Sequence, residues 1–180
     1  VKLILGNNVK QNHVTDYSAK VIGENLSLSG NSSASISSAF RDPKNQARVM
    51  FNNLESEGVQ SQKNLYRSFG KKVIETYQDA KAINTEINAV NSAFDTDIST
   101  ISNNDIKSFM ENKINEVGPG NVSKHSSDPN TYNVLDIAPS SIKNTKNFIG
   151  ISKKDFRIQK VLTPKDSDPA IHLEINQLYK

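Results

Sequence analysis

Apolar residues recur every three or four positions through the middle of the chain and alternate with polar residues in its last third. Helical spacing begins near Asn45, continues through residues 59–117 and stops at Gly118-Pro119-Gly120. A further helix is predicted after Thr15-Asp16, which can cap its first turn. A short strand or tail at the N-terminus and a strand over residues 34–40 complete the first two thirds.

Three more strands are predicted in the last third, over residues 133–138, 156–162 and 170–175. Alternation in the last of them places His172 and Glu174 on the same face. A strand, then many helices, then several strands is an order typical of the α+β class. We therefore predict one domain over residues 1–180, with a small antiparallel sheet packed against several helices.

Composition and charge narrow the classes of partner. The chain has 180 residues, of which 35% are hydrophobic and 23% charged, and its net charge is +3. A weak basic excess fits an anionic partner such as nucleic acid or a bacterial wall. The lysines are scattered, however, and the densest groups, Lys71-Lys72 and Lys153-Lys154, have no flanking series of aromatic residues. No nucleic-acid partner is therefore expected.

Several other classes are excluded by what the sequence lacks. It contains no cysteine, so disulfides, thiolate metal ligands and a cysteine nucleophile are ruled out. No apolar run approaches the roughly 20 residues of a membrane span, so no span is expected. No signal-peptide pattern is visible, and Val1 at the first position suggests a longer parent chain.

One aspartate stands inside an apolar strand, Val134-Leu135-Asp136-Ile137. Burying an unpaired carboxylate is costly, so Asp136 needs a cation, a set of hydrogen bonds or a metal. His125 and His172 could supply the remaining ligands, since catalytic zinc commonly takes three such protein ligands and keeps a fourth position for water. Spacing alone also allows a simple hydrogen-bonded His–Asp pair. His13 has no motif around it and is interpreted as a surface residue.

Three motifs in this order resemble the zinc peptidases of the D-alanyl-D-alanine carboxypeptidase/VanY type. The motifs are Ser38-Ala39-Phe40-Arg41 with Gln46, Ser123-x-His125 with Asp136-Ile137, and Ile171-His172-Leu173-Glu174. The resemblance implies that His125, Asp136 and His172 bind Zn²⁺. It also implies a peptidase that hydrolyses peptide bonds in bacterial peptidoglycan.

The implied reaction needs a carboxylate that accepts a proton from water and passes it to the leaving amine. Asp168 lies four residues before His172, and Glu174 lies on the same strand face as His172. Both stay candidates for this general base, and Asp168 is favoured. Arg41 is expected to neutralise the oxyanion or to hold a substrate carboxylate, with a structural ion pair as the alternative.

Three polar residues of the motifs are assigned supporting roles. Ser38 and Gln46 are expected to brace the Arg41 segment or to contact the substrate backbone. Ser123 is expected to orient the His125 loop.

The chain departs from the family pattern at three places. Residues 128–131 are interpreted as extra loop between His125 and Asp136, and residues 59–117 as a large helical insertion. Pro169 stands where the family carries an acid. This last departure favours an alternative, a catalytically inactive peptidoglycan-binding module of the same fold. A helical interaction protein with incidental histidines is a further hypothesis.

Family substrates are peptides of peptidoglycan, cut at D-Ala-D-Ala or L-Ala-D-Glu bonds, and both types of enzyme stay open. The resemblance implies a monomer that acts in the periplasm or, after secretion, on the cell wall. A phage endolysin and a bacterial wall-remodelling enzyme are both compatible with it.

Overall fold

Five strands form one sheet in the computed structural model, which describes residues 1–166 and 168–179. The strands are β1 (Lys2–Leu5), β2 (Ser33–Ser38), β3 (Tyr132–Ile137), β4 (Ile158–Leu162) and β5 (Ile171–Asn176). The helices are α1 (Asp16–Leu28), α2 (Pro43–Glu57), α3 (Val59–Leu65), α4 (Ser68–Phe94), α5 (Asn103–Val117), α6 (Pro119–Val122) and α7 (Thr145–Ser152). The predicted α+β class is confirmed.

The strand order in the sheet is β1-β2-β3-β5-β4. The pairs β2–β3, β3–β5 and β5–β4 are antiparallel, as predicted, whereas β1 and β2 are parallel. The parallel pair follows from α1, because a helical crossover returns the chain in its original direction and a hairpin cannot. The sheet is therefore mixed, with its antiparallel part at β2 to β4.

The chain divides into two compact units. The first, called the sheet unit, comprises Val1–Phe40 and Ser127–Lys180. The second, called the helical unit, comprises Arg41–Ser126 and contains α2 to α6. The helical unit includes the insertion predicted over residues 59–117 and extends beyond it at both ends.

The core of the sheet unit lies on one face of the central strands. Leu135 and Ile137 of β3 and Leu173 of β5 are fully buried in it, together with Ile22 and Leu26 of α1. Side chains alternate between the two faces along a strand. Consequently the even-numbered residues of β3 and β5 face away from this core.

The core of the helical unit is built mainly from α2, α4 and α5, with Val122 of α6. Its fully buried members include Met50 of α2, Ile74 of α4 and Ile106, Met110 and Ile114 of α5. Their spacing of three or four residues along α5 places one apolar stripe against the neighbouring helices. Among the residues that the structure describes, no helix is both long enough and apolar enough to cross a membrane.

Arg157 ties the start of β4 to α1. Its Nε and Nη2 atoms donate to the two carboxylate oxygens of Asp155 at 2.9 and 2.8 Å, and its Nη1 donates to Glu24 at 2.7 Å. Burial alone would raise the pKa of Asp155, but the hydrogen bonds and charge of Arg157 hold it below its usual range.

Arg157→Gln should therefore lower the free energy of unfolding at neutral pH by about 1–3 kcal/mol, because charge-assisted hydrogen bonds to a buried carboxylate are lost. The folded-state pKa of Asp155 is depressed, so its contribution is present above the unfolded pKa of about 3.9 and is lost as the pH falls below it. Urea unfolding of both proteins between pH 7 and pH 3 measures this. Lys113→Gln, which breaks an exposed pair with Glu116, should change stability by less than about 0.5 kcal/mol at any pH. A pH-independent loss in Arg157→Gln would contradict the assignment.

Candidate metal centre

Asp136 and His172 are direct partners in the β3–β5 ladder, on the sheet face opposite the hydrophobic core. Their side chains meet, with Oδ1 of Asp136 lying 2.8 Å from Nδ1 of His172. Both residues are nearly buried, with exposed fractions of 9% and 8%. On its other side Asp136 is paired in register with Ser38, the last residue of β2. The sheet register thus fixes this acid–imidazole pair.

His125 lies on a short 3-10 helix, Lys124–Ser126, that follows α6. Its side chain is buried, and its carbonyl oxygen accepts a hydrogen bond from the backbone N–H of Arg41 at 2.8 Å. The carbonyl oxygen of Ser123 accepts the N–H of Ser126 at 3.0 Å and closes this turn. Ser123 is therefore placed where it braces the His125 turn through its backbone.

The structure brings the three predicted ligands together. His125, Asp136 and His172 each offer one ligand atom, and these atoms lie within 4.8 Å of one another. Two ligands about 2.1 Å from a tetrahedral ion are themselves about 3.4 Å apart. The limit of 4.8 Å is wider than this, so the three side chains would move slightly closer together around one ion. This buried group could bind a metal ion.

Glu174 contacts the opposite edge of the His172 ring. Its Oε1 lies 3.3 Å from Nε2 of His172, which confirms that the two residues share a strand face. The Tyr132 hydroxyl donates to Oε2 of Glu174 at 2.5 Å, and Nζ of Lys160 lies 3.9 Å from Oε1. Both oxygens of this buried carboxylate are thus engaged by side chains of β3, β4 and β5.

The electrostatics of the cluster follow from these contacts. Burial alone would lower the pKa of His172, but hydrogen bonds to Asp136 and Glu174 and the charge of Asp168 raise it to about 9. Burial alone would raise the pKa of Glu174, but hydrogen bonds from His172 and Tyr132 lower it to about 2. Without a metal, an imidazolium between two carboxylates offsets the cost of burying Asp136. A metal ion would take the place of a proton in this arrangement.

Asp168 lies in the turn that leads into β5 and is half-buried. Its Oδ1 accepts the backbone N–H of Ala170 at 2.9 Å, and its own N–H donates to the carbonyl of Thr163 at 3.2 Å. Its charge adds to the larger effects of Asp136 and Glu174 that raise the pKa of His172. Asp168 is therefore a neighbour of the cluster that does not belong to the group of three ligand atoms.

Arg41 and Gln46 lie at the start of the helical unit, on either side of the N-cap of α2. Gln46 is fully buried, and its Nε2 donates to the Tyr66 hydroxyl at 3.3 Å. Burial raises the pKa of Tyr66, while the charge on Arg41 acts in the opposite direction. Gln46 and Tyr66 thus form a local polar pair, and the role predicted for Gln46 in bracing the Arg41 segment stays a prediction. The carboxylate of Asp42 caps α2 by accepting the N–H of Asn45.

Three residues of these groups were not singled out in the sequence. Tyr132 could have been, because it precedes Asp136 by four positions and strand alternation places both on one face. Lys160 and Tyr66 could not, because their contacts depend on strand register and helix packing. His13 also differs from the prediction, since it is half-buried with its ring edge-to-face against Phe40 at 5.5 Å.

No protein-family model matches this chain, and neither the curated proteins nor the solved structures contain a significant match.

Proposed function

We propose that the chain is a zinc-dependent peptidase that hydrolyses peptide bonds in the stem peptides of bacterial peptidoglycan. The observation that supports it is the convergence of His125, Asp136 and His172, whose ligand atoms lie within 4.8 Å of one another. These are the same three residues that the motif resemblance selects as ligands. They lie on three separate elements, the 3-10 helix Lys124–Ser126, β3 and β5, and meet at one place.

Zinc is the ion that this donor set favours. Two imidazole nitrogens and one carboxylate oxygen are typical of catalytic zinc, which keeps a fourth position for water. A zinc ion bound here would lower the pKa of a coordinated water molecule and polarise the scissile carbonyl. His172 suits the site further, because a ligating histidine commonly donates its second ring N–H to a carboxylate, and Glu174 lies 3.3 Å from Nε2.

The general base is assigned to Asp168. A base needs a carboxylate oxygen that is available to take up a proton, and Glu174 is poorly suited because Tyr132, His172 and Lys160 engage both its oxygens. Glu174 is instead placed to hold the His172 ring in one orientation. Asp168 is half-buried, precedes β5 by three residues, and its charge contributes to the raised pKa of His172.

Arg41 is assigned to the oxyanion or to a carboxylate of the substrate. A guanidinium carries a permanent charge and a planar set of donors, which suits either group. Ser38 adjoins Asp136 through the β2–β3 register, and Gln46 braces Tyr66. These roles fit a D-Ala-D-Ala carboxypeptidase and an L-Ala-D-Glu endopeptidase equally. The proposal places a monomer in the periplasm or at the cell wall.

The protein purified without chelator should contain one zinc per chain and should release fragments from purified peptidoglycan. Metal analysis measures the first, and mass analysis of the fragments measures the second and names the bond. His125→Ala should lose both, whereas His13→Ala should keep both, because His13 lies outside the cluster. A protein that carries no zinc after purification and binds none on titration would refute the proposal.

A catalytically inactive peptidoglycan-binding module is the second candidate. It is favoured by Pro169, which stands at the position of the family acid, and by the cluster itself. Both ring nitrogens of His172 contact carboxylates, so a protonated His172 can serve as the partner of the buried Asp136. Co-sedimentation with peptidoglycan but no released fragments from the zinc-loaded protein would favour this candidate.

A further inference from the structure

A groove of about 410 Å³ lies within the helical unit, between the N-terminal parts of α2 and α5. Lys44 and Arg48 line it from α2, and Lys107 lines it from α5. Only one carboxylate, Glu111, is part of its lining. The volume is within the range of small-molecule sites, about 300–1,000 Å³.

The three cations of this groove outnumber its single carboxylate. Within the described parts of the chain, none of Lys44, Arg48 and Lys107 makes a salt bridge, and Nζ of Lys107 lies over the ring of Phe51 at 5.3 Å. Other lysines of the same unit do find carboxylates. Lys81, for example, pairs with Glu55 at 2.7 Å. The groove therefore concentrates positive charge that the fold itself does not neutralise, and such a cleft attracts anions.

The other lining groups indicate what kind of anion would fit. Asn45, Asn104 and Ser108 add amide and hydroxyl groups, which hydrogen-bond to hydroxyls as well as to oxyanions. No aromatic residue is among the lining residues, so nothing is placed to stack on a nucleobase. The arginine supplies a planar set of donors that matches a phosphate.

We propose that this groove binds a phosphate ester of a sugar or polyol. Lys44, Arg48 and Lys107 would contact the phosphate, and the amides and the hydroxyl would contact the ester hydroxyls. The site is independent of the metal cluster and of the peptidase proposal. Its residues belong to the helical unit alone.

The test is a titration of the ¹⁵N-labelled protein with glycerol 3-phosphate and, separately, with inorganic phosphate, followed by amide chemical shifts. Glycerol 3-phosphate should shift the amides of residues 44–48 and 104–111 and should bind more tightly than inorganic phosphate. Arg48→Gln/Lys107→Gln should weaken binding at least tenfold, because two charge-assisted contacts are lost. The matched control is Lys71→Gln/Lys72→Gln in α4, which also removes two positive charges. Lys72 lies over the ring of Phe69, as Lys107 lies over that of Phe51, so this contact is matched too. The control should bind like the wild type.

Three outcomes would overturn the proposal. One is the absence of shifts at the groove amides, and another is an equal loss of affinity in both double variants, which would indicate unspecific attraction to net charge. The third is equal affinity for glycerol 3-phosphate and inorganic phosphate, which would show that the groove does not recognise the sugar or polyol part of the ester. Amide spectra of the variants also show whether each variant is folded, and none of the substituted side chains is buried. Metal content and peptidoglycan digestion should be unchanged in Arg48→Gln/Lys107→Gln, so failure here leaves the peptidase proposal standing.

Discussion

Asp136→Asn should reduce the affinity for zinc by more than about 100-fold. Loss of a partner that only orients a ligand typically costs 10–100-fold, and the loss of a charged ligand should exceed this range. Asparagine has nearly the same shape as aspartate, so the change removes the charge without opening a cavity. Competition with a chromophoric chelator measures the affinity, and metal analysis of the purified variant measures occupancy.

The same substitution should lower the free energy of unfolding of the metal-free protein by about 1–3 kcal/mol. His172 loses a charged hydrogen-bond partner at 2.8 Å, in a place with little access to water. Excess zinc should stabilise the wild type strongly and the variant weakly, because metal binding is coupled to folding. Asp128→Asn, in the exposed loop before β3, is the control and should bind zinc normally. Normal zinc affinity in Asp136→Asn would show that Asp136 is a hydrogen-bond partner of protonated His172 and not a metal ligand.

The elements of the fold were predictable because their signals are local. The apolar spacing of Met50, Ile106 and Met110 marks helices, and the alternation around His172 marks a strand, whatever the rest of the chain does. The parallel pairing of β1 was not predicted, because it requires β1 and β2 to be neighbours in the sheet, and strand adjacency is not a local signal. The extent of the helical unit was not predictable either, since Arg41–Ser126 is defined by packing between distant segments.

In the candidate site, too, local features were predictable and features that depend on strand register were not. Val134-Leu135-Asp136-Ile137 looks like an acid buried among apolar residues, yet Leu135 and Ile137 point to the opposite face. The side chain that Asp136 contacts is set by the β3–β5 register, which pairs Asp136 with His172. The sequence therefore indicates that Asp136 needs a partner but cannot choose between an imidazolium and a metal. The contact from Tyr132 to Glu174 also needs this register.

The assignment of the general base leads to the largest expected effect on the reaction. Asp168→Asn should retain zinc and lose about 10²–10⁴-fold in kcat, because amide oxygen cannot take up the proton. Asparagine can still accept the backbone N–H of Ala170 through Oδ1, so the turn before β5 is preserved. Glu174→Gln should weaken zinc binding by about 10–100-fold, because the partner of His172 Nε2 is altered. At saturating zinc it should regain most of its kcat.

The decisive measurement compares the kcat of Asp168→Asn and Glu174→Gln at saturating zinc. The substrate is a peptide with the bond that the peptidoglycan digestion identifies. Asp166→Asn is the matched control, an exposed acid of the same loop whose carboxylate accepts from Thr163. The kcat of Asp166→Asn should stay within about threefold of the wild type. Asp166 takes no part in the proton transfer, and only the loss of the general base should lower kcat by about 10²–10⁴-fold. A lower kcat for Glu174→Gln than for Asp168→Asn would move the base to Glu174, in spite of its pKa of about 2. Wild-type kcat in both variants would place the proton acceptor on neither carboxylate and would remove the assigned mechanism.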